Sequence, residues 1–164
     1  ISKTQLTLNI GSSKKLKIHN LKSGKKVKWM TKKKTVATVN EKGKVTAQNT
    51  GSTIIVAKVG KKRFTCKVKV RKPVISNSEV KLSIGETKKL KVKNISSKVE
   101  VKLSPTKKII ARVNKKGVVK AKNAGKTTII AKINGKKYTA KVVVKKITSK
   151  KEMLKAYIYH HSWE

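Results

Sequence analysis

Few side chains in this sequence could act as a nucleophile, an acid or a base. The 164 residues include one cysteine, three histidines and six acidic residues, all of them glutamate. A Ser-His-Asp arrangement lacks its third member because aspartate is absent. The six glutamates are widely scattered, so paired carboxylates are not expected, and no glycine-rich phosphate cradle is present. We therefore predict no catalytic residues and no enzyme activity.

The cysteine and the histidines do not form a recognisable site either. Cys66 lies in the stretch 64–70, where every second residue is apolar, which places it on the inward face of a strand. We predict a buried small hydrophobe, because reactive thiols need an exposed electropositive setting. His160 and His161 supply two of the three or four ligands that a metal needs, and a calcium site without aspartate is not expected. The sequence predicts no metal and no cofactor.

Lysine is the chemically conspicuous residue. There are 45 Lys plus Arg against six acidic residues, a formal net charge of +39, and only three of the cations are arginine. Genome base composition could raise lysine, but the deficit of acids favours a selected polycation. The lysine ammonium group is a hydrated point charge, whereas the planar guanidinium group of arginine can form two parallel hydrogen bonds to one phosphate. A lysine-rich surface therefore suits diffuse attraction of polyanions, or solubility.

The cations recur in short groups near expected turns and strand starts. We predict that the groups beginning at Lys14 and Lys32 lie at one end of the fold and that the group beginning at Lys61 lies at the other. Aromatic residues make up 4% of the chain, which disfavours sequence-specific nucleic-acid binding but leaves contact with a nucleic-acid backbone open. The candidate polyanion-binding residues are Lys14, Lys15, Lys32, Lys33, Lys34, Lys61, Lys62, Arg63, Lys88, Lys89, Lys107, Lys108, Lys136 and Lys137.

The chain is a tandem repeat of one module. Residues 1–72 match residues 75–146 without a gap at nearly half of the positions. Each copy carries 21 basic residues, so the charge belongs to both modules and not to an added arm. We predict domains at 1–72 and 73–146 and a tail at 147–164, with Pro73 limiting the hinge and favouring an elongated pair.

Short alternating runs at intervals of about ten residues predict seven strands per copy and an all-β fold. The turn signals include residues 39–45, which read as a tight hairpin, and Asn134-Gly135. Seven strands with a tryptophan on the third suit an immunoglobulin-like sandwich with Trp29 and Phe64 in the core. In the second copy Pro105 predicts that the third strand ends earlier.

The tail breaks the repeat. Ser149 and Glu152 have the spacing of a helix-capping box, and apolar residues follow at helical spacing. We predict a short amphipathic helix from about 150 to 161.

The ordered motifs resemble a known family. In the first copy they are the apolar-x-apolar-Gly opening at 8–11, Val27-x-Trp29, Val36-Ala37-Thr38-Val39-Asn40, Gly43-x-Val45-x-Ala47, Gly51-x-Thr53-x-Ile55 and the closing 65–70. This order resembles the bacterial immunoglobulin-like domains of group 2, found in invasin- and intimin-like surface proteins and in many secreted or wall-attached proteins. The resemblance covers both copies. It implies a sandwich used as a spacer, stalk or adhesive module outside the cell, with no shared catalytic residues to carry over.

Two functions stay open at this point. The first is a structural cell-surface module, a spacer or adhesion segment of a longer bacterial protein. The second is a module that binds polyanions such as anionic wall polymers, sulfated host glycans or a nucleic-acid backbone, and that thereby targets an attached domain. We see no signal peptide and no apolar run long enough to cross a bilayer. The missing initiator methionine predicts a fragment of a longer chain with further domains.

Overall fold

The computed structural model describes residues 1–148 and 153–154. The chain divides into two compact units, one made of Ile1–Pro73 and Asn94–Val99, the other of Val74–Lys93 and the described residues from Glu100 onward. Strands dominate both units, so the all-β prediction is confirmed. The predicted C-terminal helix lies outside the described residues apart from Met153 and Leu154.

The first unit contains seven strands in two sheets. A four-stranded sheet has the order β1-β7-β6-β3 and a three-stranded sheet the order β2-β5-β4. The strands are β1 (Gln5–Leu8), β2 (Ser13–Lys15), β3 (Lys28–Thr31), β4 (Ala37–Val39), β5 (Lys44–Ala47), β6 (Gly51–Val59) and β7 (Lys62–Val70).

The second unit repeats this arrangement. Its four-stranded sheet has the order β12-β15-β16-β9 and its three-stranded sheet the order β10-β14-β13, while β8 and β11 form an additional short pair. The strands are β8 (Val74–Ile75), β9 (Glu79–Ser83), β10 (Thr87–Lys89), β11 (Val92–Lys93), β12 (Lys102–Pro105), β13 (Ala111–Val113), β14 (Val118–Ala121), β15 (Gly125–Ile133) and β16 (Lys136–Lys145).

In each unit the first strand of the four-stranded sheet pairs in parallel with the last. Leu6 lies opposite Val68 and Leu8 opposite Val70 in the first unit. The alternation of buried and exposed residues along these strands is the pattern expected for a sheet with one face in the core. In the second unit the buried cluster draws side chains from both sheets, so the two sheets pack face to face.

Two predicted turns are confirmed. Residues 39–45 form a hairpin in which Val39 lies opposite Val45 and the Asn40 carboxamide oxygen accepts from the Lys44 N–H at 2.9 Å. Asn134 and Gly135 both have positive φ, 47° and 77°, and join the paired residues Ile133 and Lys136. Positive φ at both central residues matches the right-handed twist of the strands.

The aromatic residues correct one prediction. Trp29 and Phe64 are partly exposed and are not fully buried core residues. They flank Ala57, which lies opposite both in the register of the four-stranded sheet and is fully buried. The small side chain between them lets both rings reach the core face, while the Trp29 ring covers the backbone of Gly43.

The prediction for Pro105 was wrong. Strand β12 ends at Pro105, which corresponds to Thr31 at the end of β3, so neither strand is shortened. β12 is an edge strand. The next residue, Thr106, donates its N–H to the Thr128 carbonyl at 2.9 Å, so the nitrogen of Pro105 faces away from β15. A proline at an edge position removes no ladder hydrogen bond.

Candidate functional site

Cys66 is a packing residue, as predicted. It is fully buried on β7 opposite Ile55, and its thiol lies 3.8 Å from the carbonyl oxygen of Lys67. Burial raises the pKa of the Cys66 thiol, and the positive charge of Lys3 lowers it in part. A buried thiol with a raised pKa yields little thiolate, so Cys66 is unsuited to nucleophilic chemistry.

Three of the described glutamates take part in local surface contacts. The Glu86 carboxylate accepts the Ser83 N–H at 2.8 Å across a turn. Glu79 lies 3.7 Å from Lys81, and Glu100 lies 3.9 Å from Lys102. Within residues 1–148 and 153–154 no three His, Cys, Asp or Glu side chains converge as metal ligands. His160 and His161 lie outside the described residues.

The structure places every candidate lysine and arginine on the surface. All fourteen predicted residues are exposed: Lys14, Lys15, Lys32, Lys33, Lys34, Lys61, Lys62, Arg63, Lys88, Lys89, Lys107, Lys108, Lys136 and Lys137. They do not form one cluster within a unit, because they belong to separate turns and strands. The assignment of these residues to polyanion binding stays a prediction.

In each unit, a buried threonine hydroxyl hydrogen-bonds to the backbone of the turn after the third strand. Thr53, 5% exposed, accepts the Lys33 N–H at 2.9 Å. In the second unit Thr127, also 5% exposed, accepts the Lys107 N–H at 3.0 Å. These hydrogen bonds satisfy a buried hydroxyl and fix the backbone that carries the neighbouring lysines.

The expected position of the second strand needs correction. β2 covers Ser13–Lys15, so Lys14 and Lys15 form the strand instead of preceding it at the end of the fold. Leu16 follows the strand, and its N–H donates to the Gly43 carbonyl at 2.9 Å. Lys15 lies opposite Lys44 on the neighbouring strand β5. The reason is that β2 is an edge strand whose place is set by pairing with β5 and not by its own apolar pattern.

The outer face of each four-stranded sheet carries three cations in one line. In the first unit Lys28 on β3 lies opposite Lys58 on β6, which lies opposite Arg63 on β7. We call these three residues the first cation row. The adjacent residues on the same face, Met30, Val56 and Thr65, are also in register and carry no charge.

The second unit has the same feature 74 residues later. Lys102 on β12 lies opposite Lys132 on β15, which lies opposite Lys137 on β16, and we call these the second cation row. Arg63 and Lys137 are among the residues predicted from the sequence, whereas the other four row members are not. The pairs Lys58–Arg63 and Lys132–Lys137 could have been predicted from the sequence, because a two-residue turn fixes the register of the two strands it joins.

A shallow recess lies on the same sheet of the first unit. It has a volume of about 460 Å³, and Lys67, Lys69, Lys32 and Lys33 surround the half-buried side chain of Ile54. An apolar floor with a lysine rim could hold a small amphipathic anion. The corresponding recess of the second unit, about 440 Å³, has Glu79, Thr128 and Val143 in place of Gln5, Ile54 and Lys69, so its chemistry is not duplicated.

The described part of the chain contains no helix with the length and apolarity required to span a bilayer.

A comparison with protein families confirms the resemblance for the first copy. Residues 1–70 match the bacterial Ig-like domain (group 2). Domains of this family are non-enzymatic structural modules. A comparison with curated proteins finds no match.

Solved structures with a similar fold include surface-layer and adhesion proteins. Domains 4 and 5 of the S-layer protein SbsC are 20% identical, with a TM-score of 0.39, 74% of this chain covered and 78% of that one. A longer fragment, SbsC domains 1–6, is 22% identical with a TM-score of 0.37 over 75% of this chain. A 282-residue intimin fragment, solved with the intimin-binding domain of its translocated receptor, is 18% identical with a TM-score of 0.39, covering 79% of this chain and 54% of that one. The chain spans 20% of the six-domain SbsC fragment.

Proposed function

We propose, from the membership of residues 1–70 in the bacterial Ig-like domains of group 2, that this chain is a spacer or adhesion segment of a larger bacterial cell-surface protein. The observation that carries the proposal is the tandem repetition of one closed unit with its own buried core. Repeated modules extend a chain by stacking copies, and each copy needs only its fold and not a reactive site.

The parallel strand pair supports a role under tension. Four residue pairs join β1 to β7, and five join β9 to β16. In a parallel pair of first and last strands, pulling the two chain ends apart loads all of the connecting hydrogen bonds together in shear. A module built in this way resists extension until the pair separates as a unit, which suits a stalk.

Surface location is tested with antibodies against this chain. They should label intact cells of the bacterium that produces it as strongly as permeabilised cells. Labelling that requires permeabilisation would refute the cell-surface assignment.

The spacer role is tested by pulling the chain from both ends in a single-molecule instrument. We expect two unfolding events that each lengthen the chain by roughly 20 nm, because about 70 extended residues are released per module. Extension without a resisting event would contradict the spacer role, whatever the cellular location.

Polyanion attachment is the second candidate function, and the two cation rows favour it. The chain has 39 more cations than anions, and the observed ion pairs join acids to lysines next to them on the surface. Binding to purified wall polymer, heparin and DNA should therefore weaken steeply as salt rises, because each contact releases condensed counterions. Replacing Lys32, Lys33 and Lys34 by glutamine should weaken binding modestly, since the matching turn of the second unit is unchanged.

A further inference from the structure

Each cation row places like charges directly opposite one another on neighbouring strands. Directly opposite side chains have Cβ atoms about 5 Å apart, and like charges there destabilise a sheet. Lys58 is the central member of the first row and is half-buried between Lys28 and Arg63. The single glutamate of residues 1–72 is Glu41, in the turn between β4 and β5, and so outside the sheet that carries the row.

The cation row is present in both copies of the module. The two copies differ at about half of their positions, yet all six row positions are cationic. The neighbouring positions of the same face are uncharged in both copies: Met30, Val56 and Thr65, and their counterparts Ser104, Ile130 and Thr139. In each sheet, therefore, the row carries a cation on three neighbouring strands, and the line next to it carries none.

The geometry of a row matches a thin linear polyanion. Neighbouring strands are about 4.8 Å apart, so three cations extend over roughly 10 Å at right angles to the strands. Five of the six side chains are lysines, which reach single anionic groups as flexible point charges. The rows and the adjacent uncharged positions contain no aromatic ring on which a base could stack. A chain of single phosphate charges without bases fits these features better than a nucleic acid.

Resting on the proposed polyanion attachment, we infer that the two cation rows are the binding sites for a linear polyol-phosphate polymer that crosses the strands of each four-stranded sheet. The polymer phosphates take the place of the missing acidic partners. Lys102 is the row member with a protein carboxylate nearby, since its ammonium nitrogen lies 3.9 Å from a carboxylate oxygen of Glu100. Both side chains are highly exposed, so this weak ion pair can separate and leave Lys102 free to bind a phosphate.

The test uses the whole chain and a purified polyglycerol-phosphate of defined length. The row variant Lys58→Gln with Lys132→Gln removes the central cation of each row. The matched control Lys34→Gln with Lys108→Gln removes the same charge from an exposed position that is also duplicated, in the turn after the third strand of each unit. A second control, Lys58→Arg with Lys132→Arg, keeps the charge.

We expect the row variant to lower affinity about tenfold or more at low salt and the matched control about two- to threefold. The slope of log affinity against log salt should become shallower by about 1.5 in the row variant, since two phosphate contacts are lost. The arginine variant should bind like the unchanged chain. Unchanged thermal unfolding at high salt establishes that the substitutions leave the fold intact.

Equal losses in the row variant and the matched control would overturn the inference in favour of diffuse attraction. Absence of binding to polyglycerol-phosphate at low salt would also overturn it, while the surface labelling and pulling experiments would still decide the spacer proposal. Tighter binding to heparin or DNA, with the row variant reducing that binding in the same way, would refute the polymer class.

Discussion

Replacing Lys58 by glutamine should stabilise the first unit at low salt. Lys58 is the central member of the first cation row, with Lys28 on one side and Arg63 on the other. The substitution removes two unfavourable neighbours and leaves a polar residue of similar length at an outward position. Most surface substitutions change stability by less than about 0.5 kcal/mol, so a larger gain would identify repulsion as its cause.

The expected size follows from the geometry. Head groups on flexible stems can separate to roughly 7 Å, where two unit charges in water repel by about 0.6 kcal/mol. Two such neighbours give about 1.2 kcal/mol without screening. With Debye lengths of about 30, 10 and 3 Å at 0.01, 0.1 and 1 M salt, the gain should be about 1, 0.6 and 0.1 kcal/mol.

Chemical unfolding followed by tryptophan fluorescence measures this gain. A Trp163→Phe background leaves Trp29, on β3 next to Lys28, as the reporter of the first unit. The control is Lys69→Gln, whose directly opposite neighbours Thr7 and Ser52 are uncharged. Lys67 and Arg71 each lie two residues from Lys69 along the chain, a wider spacing than that of directly opposite residues, so a smaller gain than for Lys58→Gln is expected. A gain that does not depend on salt, or one no larger than the control, would refute the reasoning.

Further predictions concern the core and its turns. Gly43→Ala should cost about 2 kcal/mol or more of unfolding free energy, because Gly43 has a φ of 74° and the added Cβ would lie 2.6 Å from the backbone oxygen of Leu16. The control Gly24→Ala has a similar φ but open space around the added Cβ, so it should cost about 1 kcal/mol. Thr53→Val should cost about 1–3 kcal/mol in denaturant unfolding, because the Lys33 N–H loses its acceptor; a neutral result would contradict the supporting role of this hydroxyl. Cys66 should react with a thiol reagent far more slowly in the folded chain than in the unfolded chain, and raising pH from 7 to 9 should increase labelling of the folded chain less than labelling of the unfolded chain, since burial raises the pKa of the Cys66 thiol.

Local patterns were sufficient to predict most strands and turns. The long hairpin strands β6 and β7 alternate apolar and polar residues, and a two-residue turn joins them. The Asn134-Gly135 turn is encoded by two residues that tolerate positive φ. Strand alternation and turn residues are local features of the sequence, so they predict these strands and turns correctly without knowledge of distant parts of the chain.

The wrong predictions concern residues whose structure depends on pairing with distant parts of the chain. β2 has three exposed residues and no apolar alternation, so only its pairing with β5 defines it. The effect of Pro105 depends on whether its nitrogen faces the sheet or the free edge, and the sequence does not state which. Trp29 is partly exposed because it lies on β3, an edge strand of its sheet.

The cation rows illustrate the same limit at the candidate site. The opposition of Lys58 and Arg63 can be derived from the hairpin turn, since a short loop fixes the register. The alignment of Lys28 with this pair cannot, because residues 32–50 separate β3 from β6 and no single turn links their registers. From the sequence, Arg63 and Lys137 are therefore predicted only as members of turn clusters, and the line of cations becomes visible only in the sheet.

The charge of each row has opposite consequences for folding and for binding. Small units bury a modest share of their surface and have little stability to spare, so opposed cations are a disadvantage to the isolated chain. A bound polyanion removes that disadvantage and adds stability in proportion to its occupancy. Lys58→Gln with Lys132→Gln should therefore raise the unfolding midpoint of the free chain at low salt and lower it relative to the unchanged chain when excess polyglycerol-phosphate is present. Thermal unfolding with and without the polymer measures this crossing. A chain whose lysines serve solubility alone would show the first effect without the second.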